Sequence, residues 1–347
     1  MKRSILVACA LAAVALPASV SAATTNDPRY GQQWGIQQIN ADEAWATSTG
    51  AGQVIAVLDT GVDLQHPDLA GKLVAGTTFT GCPNDPNGCG SGSWLDGEPF
   101  ATAHPHGTHV AGIAAAATDN GAGIAGVARG ASIMPIKVLT ADGGSFEEIA
   151  AGIRYAADHG ADVINMSLGA LPGVQALSIT GVLPEANDAI AYAVSKGVVV
   201  VVAAGNEFGS ICAEPAFSPN ALCVVATDPN GLRASYSNFA VHPSMNVVAA
   251  PGGAGLIACA DDIVSTVPAG KEGVCGSGGY DFYAGTSMAT PHVAGVAALL
   301  TAQGRTVQQV YSVLKSTART PGVGTRGTYT STHGFGIVDA AAAVAAP

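Results

Sequence analysis

The chain is poor in charge. Only 11% of its 347 residues are Asp, Glu, Lys or Arg, and 14 basic side chains face 25 acidic ones, a formal net charge of -11. Binding nucleic acid through a broad basic surface requires cations that neutralise phosphates, so this balance excludes it. Past the first residues no apolar run reaches the roughly 18 residues that a membrane-spanning helix needs, and no membrane anchor is expected. No Cys-x-x-Cys spacing occurs, which argues against structural zinc. Internal repeats, charge blocks and low-complexity linkers are also missing, so one domain is expected from residue 24 to 347.

What is plentiful is apolar and small. Hydrophobic residues make up 48% and there are 45 glycines, enough for a large core joined by short, tight loops. Residues 1–22 have the layout of a secretory signal. Lys2 and Arg3 provide the charged start, Ile5 to Leu16 the apolar stretch, and Val20-Ser21-Ala22 a small-residue cleavage site. Export to the periplasm or the medium is therefore expected. Six of the seven cysteines remain once Cys9 leaves with that segment. They lie in three close pairs, Cys82 with Cys89, Cys212 with Cys223, and Cys259 with Cys275, and local disulfides suit an oxidising compartment.

Apolar, β-branched runs at 54–58, 133–139, 163–166, 198–203 and 223–226 read as buried parallel strands. Helical segments alternate with them. Ser145 and Glu148 form a capping box that opens a helix ending at Gly160. Thr306 and Gln309 repeat the device before a helix over 310–318, and residues 184–196 read as a helix closed by Gly197. The fold class is α/β, a mostly parallel central sheet with helices on both faces in three layers. In such sheets ligands sit beyond the carboxyl ends of the strands.

Three residues meet that rule with chemistry attached. Asp59 follows the strand over 54–58. His106 opens His106-Gly107-Thr108-His109, ahead of a helical stretch over 113–117. Ser287 lies in Gly285-Thr286-Ser287-Met288-Ala289-Thr290-Pro291-His292, just before an apolar helix. A serine hydroxyl needs a base to take its proton as it attacks, and imidazole, with an ordinary pKa of about 6.5, suits the task. A buried carboxylate then holds the ring in one tautomer. Asn206, after the valine strand, can donate to an oxyanion beside the Ser287 N–H. His104, His106 and His109 could instead suggest a metal, but no nearby Glu or Cys completes a tetrahedral set.

Taken together, in the order Asp, His, Asn, Ser, these segments resemble the subtilase family, the subtilisin-like serine proteases. The resemblance runs from Trp34 to Ala345 and implies that Asp59, His106 and Ser287 form a catalytic triad, with Asn206 stabilising the oxyanion. It implies a secreted endopeptidase acting on protein and peptide substrates through an acyl-enzyme, with no organic cofactor, as a monomer. The substrate backbone would lie as an added strand between Gly143-Gly144-Ser145 and Ser167-Leu168-Gly169. The pocket before the cut would be lined by Ser167 to Gly169 and by Ala203, Ala204 and Gly205. Those segments carry no charge, so large apolar residues, Leu or aromatic, are expected there. Asp68 matches a family position that ligates structural calcium. The loop Thr118-Asp119-Asn120-Gly121 resembles a calcium loop, with Gln32 or Gln33 as a further oxygen donor. Gly334 to Asp339 matches the family's closing helix. Too few residues separate Ala23 from Asp59 for the usual folding propeptide.

Two rivals fit worse. An esterase of the α/β-hydrolase type needs a Gly-x-Ser-x-Gly elbow with the serine first in chain order. An aspartic protease needs a second carboxylate, and this chain has a single Asp-Thr-Gly.

Overall fold

The β-branched runs form the centre of the sheet. In the computed structural model, which describes residues 25–169, 184–241, 243–256, 258–322 and 324–347, the strands of this sheet are β1 (Val54–Asp59), β2 (Thr77–Thr78), β3 (Ser132–Lys137), β4 (Val163–Met166), β5 (Val199–Ala203), β6 (Leu222–Thr227) and β7 (Val247–Pro251). The signal-like stretch lies outside the described residues. All seven strands run parallel in the order β2-β3-β1-β4-β5-β6-β7. Chain order reverses beside β1, so the gap between the ends of β1 and β4 is the switch point where such sheets bind ligands. A separate antiparallel pair, β8 (Ile263–Thr266) and β9 (Tyr280–Tyr283), packs against the helix that follows β2.

The described helices are α1 (Trp34–Gln38), α2 (Ala41–Ala44), α3 (His106–Ala115), α4 (Phe146–Asp158), α5 (Pro184–Ser195), α6 (Thr286–Thr301), α7 (Val307–Thr317) and α8 (Ala340–Ala345). Both capping boxes form, Ser145 with Glu148 at α4 and Thr306 with Gln309 at α7. The α3 and α6 helices pack on each other and on the sheet, while α4 and α5 pair separately, giving three layers. Nearly every residue of α6 is buried, which explains a sequence apolar on all sides.

Several boundaries differ from expectation for local reasons. The β3 strand stops at Lys137 because the Val138 and Leu139 N–H groups both turn to the Asp59 carbonyl. The α3 helix stops at Ala115, short of Ala117, whose N–H is taken by the Asp68 carbonyl at 2.8 Å. Residues 334–339 are not helical: Ile337 bridges Ala249 and Arg319, and Asp339 is the cap of the helix that follows, accepting the Ala342 N–H at the start of α8. The strands β7, β8 and β9 are short and rich in Ala, Thr and Tyr, too weakly patterned to stand out. All three local disulfides form, with Cα atoms 6.3, 6.6 and 5.8 Å apart. Each closes a loop, worth on the order of 2–4 kcal/mol.

Candidate active site

Asp59 ends β1 and is fully buried. Its Oδ1 accepts the His106 Nδ1–H at 2.7 Å and the Thr60 N–H at 2.7 Å, while Oδ2 is buried with no hydrogen-bond partner among the described residues. With a carboxylate as acceptor, Nδ1 must carry the proton, so the neutral ring keeps its lone pair on Nε2. Burial disfavours the charged ring, but the Asp59 charge and hydrogen bond outweigh it and hold the His106 pKa above its usual value. Glycine after this histidine has a packing reason. A Cβ on Gly107 would stand 2.4 Å from the Gly61 carbonyl oxygen and 3.0 Å from Asp59 Cβ.

Ser287 lies in the first turn of α6, where N–H groups have no intrahelical partner. Its Oγ donates to the Ser167 carbonyl at 3.2 Å. The motif's proline matters here. Pro291 has no N–H to offer the carbonyl four residues back, and the Ser167 hydroxyl donates to that Ser287 carbonyl at 2.7 Å instead. Asn165 Nδ2 in turn donates to Ser167 Oγ at 3.0 Å. Sequence reading missed Asn165; a buried amide inside an otherwise apolar strand was the available signal.

Asn206 follows β5. Its Oδ1 accepts the Thr286 N–H at 2.9 Å and the Thr286 hydroxyl at 3.0 Å, which fixes the amide and leaves Nδ2 to point away. A Cβ built on Gly285 would lie 3.6 Å from both Asn206 Nδ2 and the Ser287 nitrogen, so these two donors flank one small space kept clear by glycine. His106, Asn206 and Ser287 line a cavity of about 470 Å³ together with His104, Tyr283 and Met288.

A second cavity of about 520 Å³ meets the first at Ser287 and Asn206. Gly143, Gly144, Ser167, Leu168, Gly169 and Gly205 line it. Ser145 and Ala204 do not: the Ser145 hydroxyl is spent capping α4, and Ala203 lines the wall in place of its neighbour. Leu139, Phe146, Ile149 and Pro215 make the remaining surface largely apolar. Asp142 and Glu207 add carboxylates just outside the segments considered from sequence.

Histidines 109 and 292 are buried elsewhere in the core. Burial depresses their pKa values to about 3 and about 4, and each ring is hydrogen-bonded to a backbone carbonyl, of Asp281 and Met288 respectively.

The loop proposed for calcium surrounds two buried carboxylates, Asp27 and Asp68. The Asn120 N–H donates to Asp27 Oδ1 at 3.2 Å, and its side-chain Nδ2 donates to Asp68 Oδ1 at 2.8 Å. The Ile124 N–H holds Asp68 Oδ2 at 2.9 Å, and burial pushes the Asp68 carboxyl above its usual range. Carboxylate oxygens are the donors a hard cation takes, and Asp27 and Asp68, from separate parts of the chain, both face this loop, although each of their oxygens accepts an N–H from it. Asn120 presents its NH2 to Asp68 and uses its oxygen for the Ala122 N–H, and Gln33 is fully paired with Ala125, so neither offers a free oxygen. Gln32 Oε1 accepts from Arg29 at 3.4 Å. Among the described residues no group of three or more His, Cys, Asp and Glu is arranged to hold a metal.

Comparison with known proteins bears on this arrangement. The family model described as the Subtilase family matches residues 50–337. Thermitase of Thermoactinomyces vulgaris is 42% identical, over 87% of this chain and 94% of that protein. An extracellular protease of Xanthomonas campestris pv. campestris is 40% identical over 93% of this chain, which spans 57% of its length. A solved protease structure from Pseudoalteromonas arctica PAMC 21717 superposes with a TM-score of 0.77 at 37% identity, covering 93% of this chain and 99% of that one.

Proposed function

The chain belongs to the subtilase family of serine proteases, and from that premise we propose that Ser287 is the nucleophile, His106 its base and Asp59 the carboxylate that orients the base. The observation that carries this reading is the 2.7 Å Asp59–His106 pair opening on a cavity shared with Ser287 and Asn206. Rotation about the Ser287 Cα–Cβ bond moves its hydroxyl from the Ser167 carbonyl toward His106 Nε2. Nε2 then takes the hydroxyl proton as Oγ bonds to the substrate carbonyl carbon. Asn206 Nδ2 and the Ser287 N–H donate to the oxyanion. The Asn206 share is about 2.7–4 kcal/mol, the size measured for the equivalent side chain in subtilisin itself. The imidazolium gives its proton to the departing amine as the C–N bond breaks, and water reverses these steps to free the acid.

Substrate lies extended between 143–144 and 167–169, held by main-chain hydrogen bonds. The apolar walls favour Leu or an aromatic residue before the cut, and the carboxylates of Asp142 and Glu207 disfavour acidic ones. The protein works as an exported monomer on proteins and peptides, directed out of the cell by residues 1–22. Calcium bound at the loop over 118–124 would be held by Asp68 and Asp27 and would neutralise their buried charge.

Phosphonylation with a serine-directed reagent should add mass at Ser287, and Ser287→Ala should abolish casein hydrolysis. Undiminished activity in that variant would overturn the assignment. Chelation should lower the unfolding midpoint by several degrees, of the order that a loss of 1–2 kcal/mol produces; an unchanged midpoint counts against the ion.

A further inference from the structure

Among the described residues Lys137 is the only buried lysine or arginine, and the chemistry above makes no use of it. It ends β3, in register with Asp59 across the parallel pair. All three ammonium protons are spent: on the Thr60 carbonyl at 3.1 Å, the Trp94 carbonyl at 3.1 Å and Glu98 Oε2 at 2.6 Å. Stripping water from both charges costs free energy that an apolar pair of similar volume would not. What an ammonium supplies and an apolar group cannot is three directed donors.

One of those donors reaches the joint between acid and base through Thr60, and the other two hold the loop over 94–98. Thr60 donates its N–H to Asp59 Oδ1, its hydroxyl donates to the His104 carbonyl at 3.0 Å, and the same hydroxyl accepts the Gly107 N–H at 3.0 Å. Thr60 therefore holds the carboxylate and both flanks of His106. Lys137 fixes Thr60 by its carbonyl. At the other end, Glu98 Oε1 accepts the Ala141 N–H at 3.4 Å, in the turn that lines the substrate cavity.

We infer that Lys137 and Glu98 form a charged strut that positions the Asp59–His106 pair relative to the substrate-binding edge. The inference rests on the catalytic reading given above. Both are positioning residues and neither touches substrate. Because their charges are opposite, removing them one at a time acts on His106 in opposite directions, against the fixed background of Asp59, His104, His109 and Lys271. Lys137→Met leaves Glu98 unopposed, which favours the imidazolium and moves the acid limb of kcat/KM to higher pH. Glu98→Gln leaves the ammonium unopposed and moves it lower.

The experiment is steady-state peptide hydrolysis across pH by the purified parent, Lys137→Met, Glu98→Gln and the double variant, with unfolding midpoints recorded alongside. Lys137→Met should lower kcat about ten-fold, and Glu98→Gln about three-fold, with KM within about two-fold, as expected for loss of alignment rather than of binding. The acid limbs should part by a few tenths of a pH unit on either side of the parent, and the double variant should return toward it. Parental kcat in both single variants, or limbs moving the same way, overturns the strut. If Lys137→Met does not fold, Glu98→Gln decides alone: a lowered limb supports the strut and an unmoved one overturns it. Activity surviving in Ser287→Ala would instead sink the catalytic reading. An inactive Ser287→Ala beside parental strut variants sinks only this inference.

Discussion

His106 and His109 sit three residues apart on α3, yet the protein treats them oppositely. The first has a side chain 19% exposed, faces the Asp59 carboxylate at 2.7 Å and is held above its usual pKa. The second is fully buried, donates Nε2–H to the neutral Asp281 carbonyl at 3.2 Å, stacks on Tyr283 with centroids 4.3 Å apart, and has its pKa driven to about 3. Burial disfavours the charged ring in both. What differs is the partner, a full negative charge in one case and a carbonyl dipole in the other. One ring can take up a proton, as the proposed base must, and the other is locked neutral as part of the core.

The comparison breaks most visibly if the charge is removed and the shape kept. Asp59→Asn should lower kcat by about 10⁴-fold, a loss of the size measured when the equivalent carboxylate is removed from subtilisin itself. The amide can offer N–H to Nδ1, which places the ring proton on Nε2, where it cannot accept the serine proton. The acid limb of the residual activity should fall below that of the parent, since the group holding the His106 pKa up is gone. Peptide hydrolysis across pH measures both effects. A residual activity within ten-fold of the parent would mean that His106 does not owe its role to Asp59.

Much of this contrast was legible in the residues. Asp59, His106, Asn206 and Ser287 each follow or open an element at one sheet edge, and their shared order pointed to one cleft. The family resemblance, not the local pattern, singled out His106 over His109. What sequence could not supply were partners distant in the chain. Nothing near Lys137 announces Glu98 or Thr60, because their contact depends on how a loop folds over the end of β3. Ser145 and Ala204 were placed on the cavity wall with their segments, but hydrogen-bond demand settles individual side chains: Ser145 is claimed by its helix cap, and both backbone groups of Ala204 are bonded elsewhere. The carboxylates of Asp142 and Glu207 were missed for the converse reason, lying just past the segments that the strand ends single out.

A smaller effect sharpens the comparison through stability. The folded pKa values of His109 and His292, about 3 and about 4, lie below the ordinary 6.5 of an unfolded chain. Their contribution is therefore complete above pH 6.5 and is lost as pH falls toward the folded values, since the unfolded chain binds protons first. The slope is about 1.4 kcal/mol per pH unit for each ring. His106 works the other way, its contribution being present below 6.5 and lost as pH rises through its raised folded pKa. His109→Phe keeps the stacking on Tyr283 and removes the titration. In a Ser287→Ala background, chosen to stop self-digestion on the proposed mechanism, it should cost about 1–2 kcal/mol at pH 7 through the lost hydrogen bond to Asp281. Denaturant titrations between pH 6.5 and 4.5 should then show a shallower fall in stability than the parent. An unchanged slope would mean that His109 is not held neutral by the fold, and the opposition between the two rings would fail.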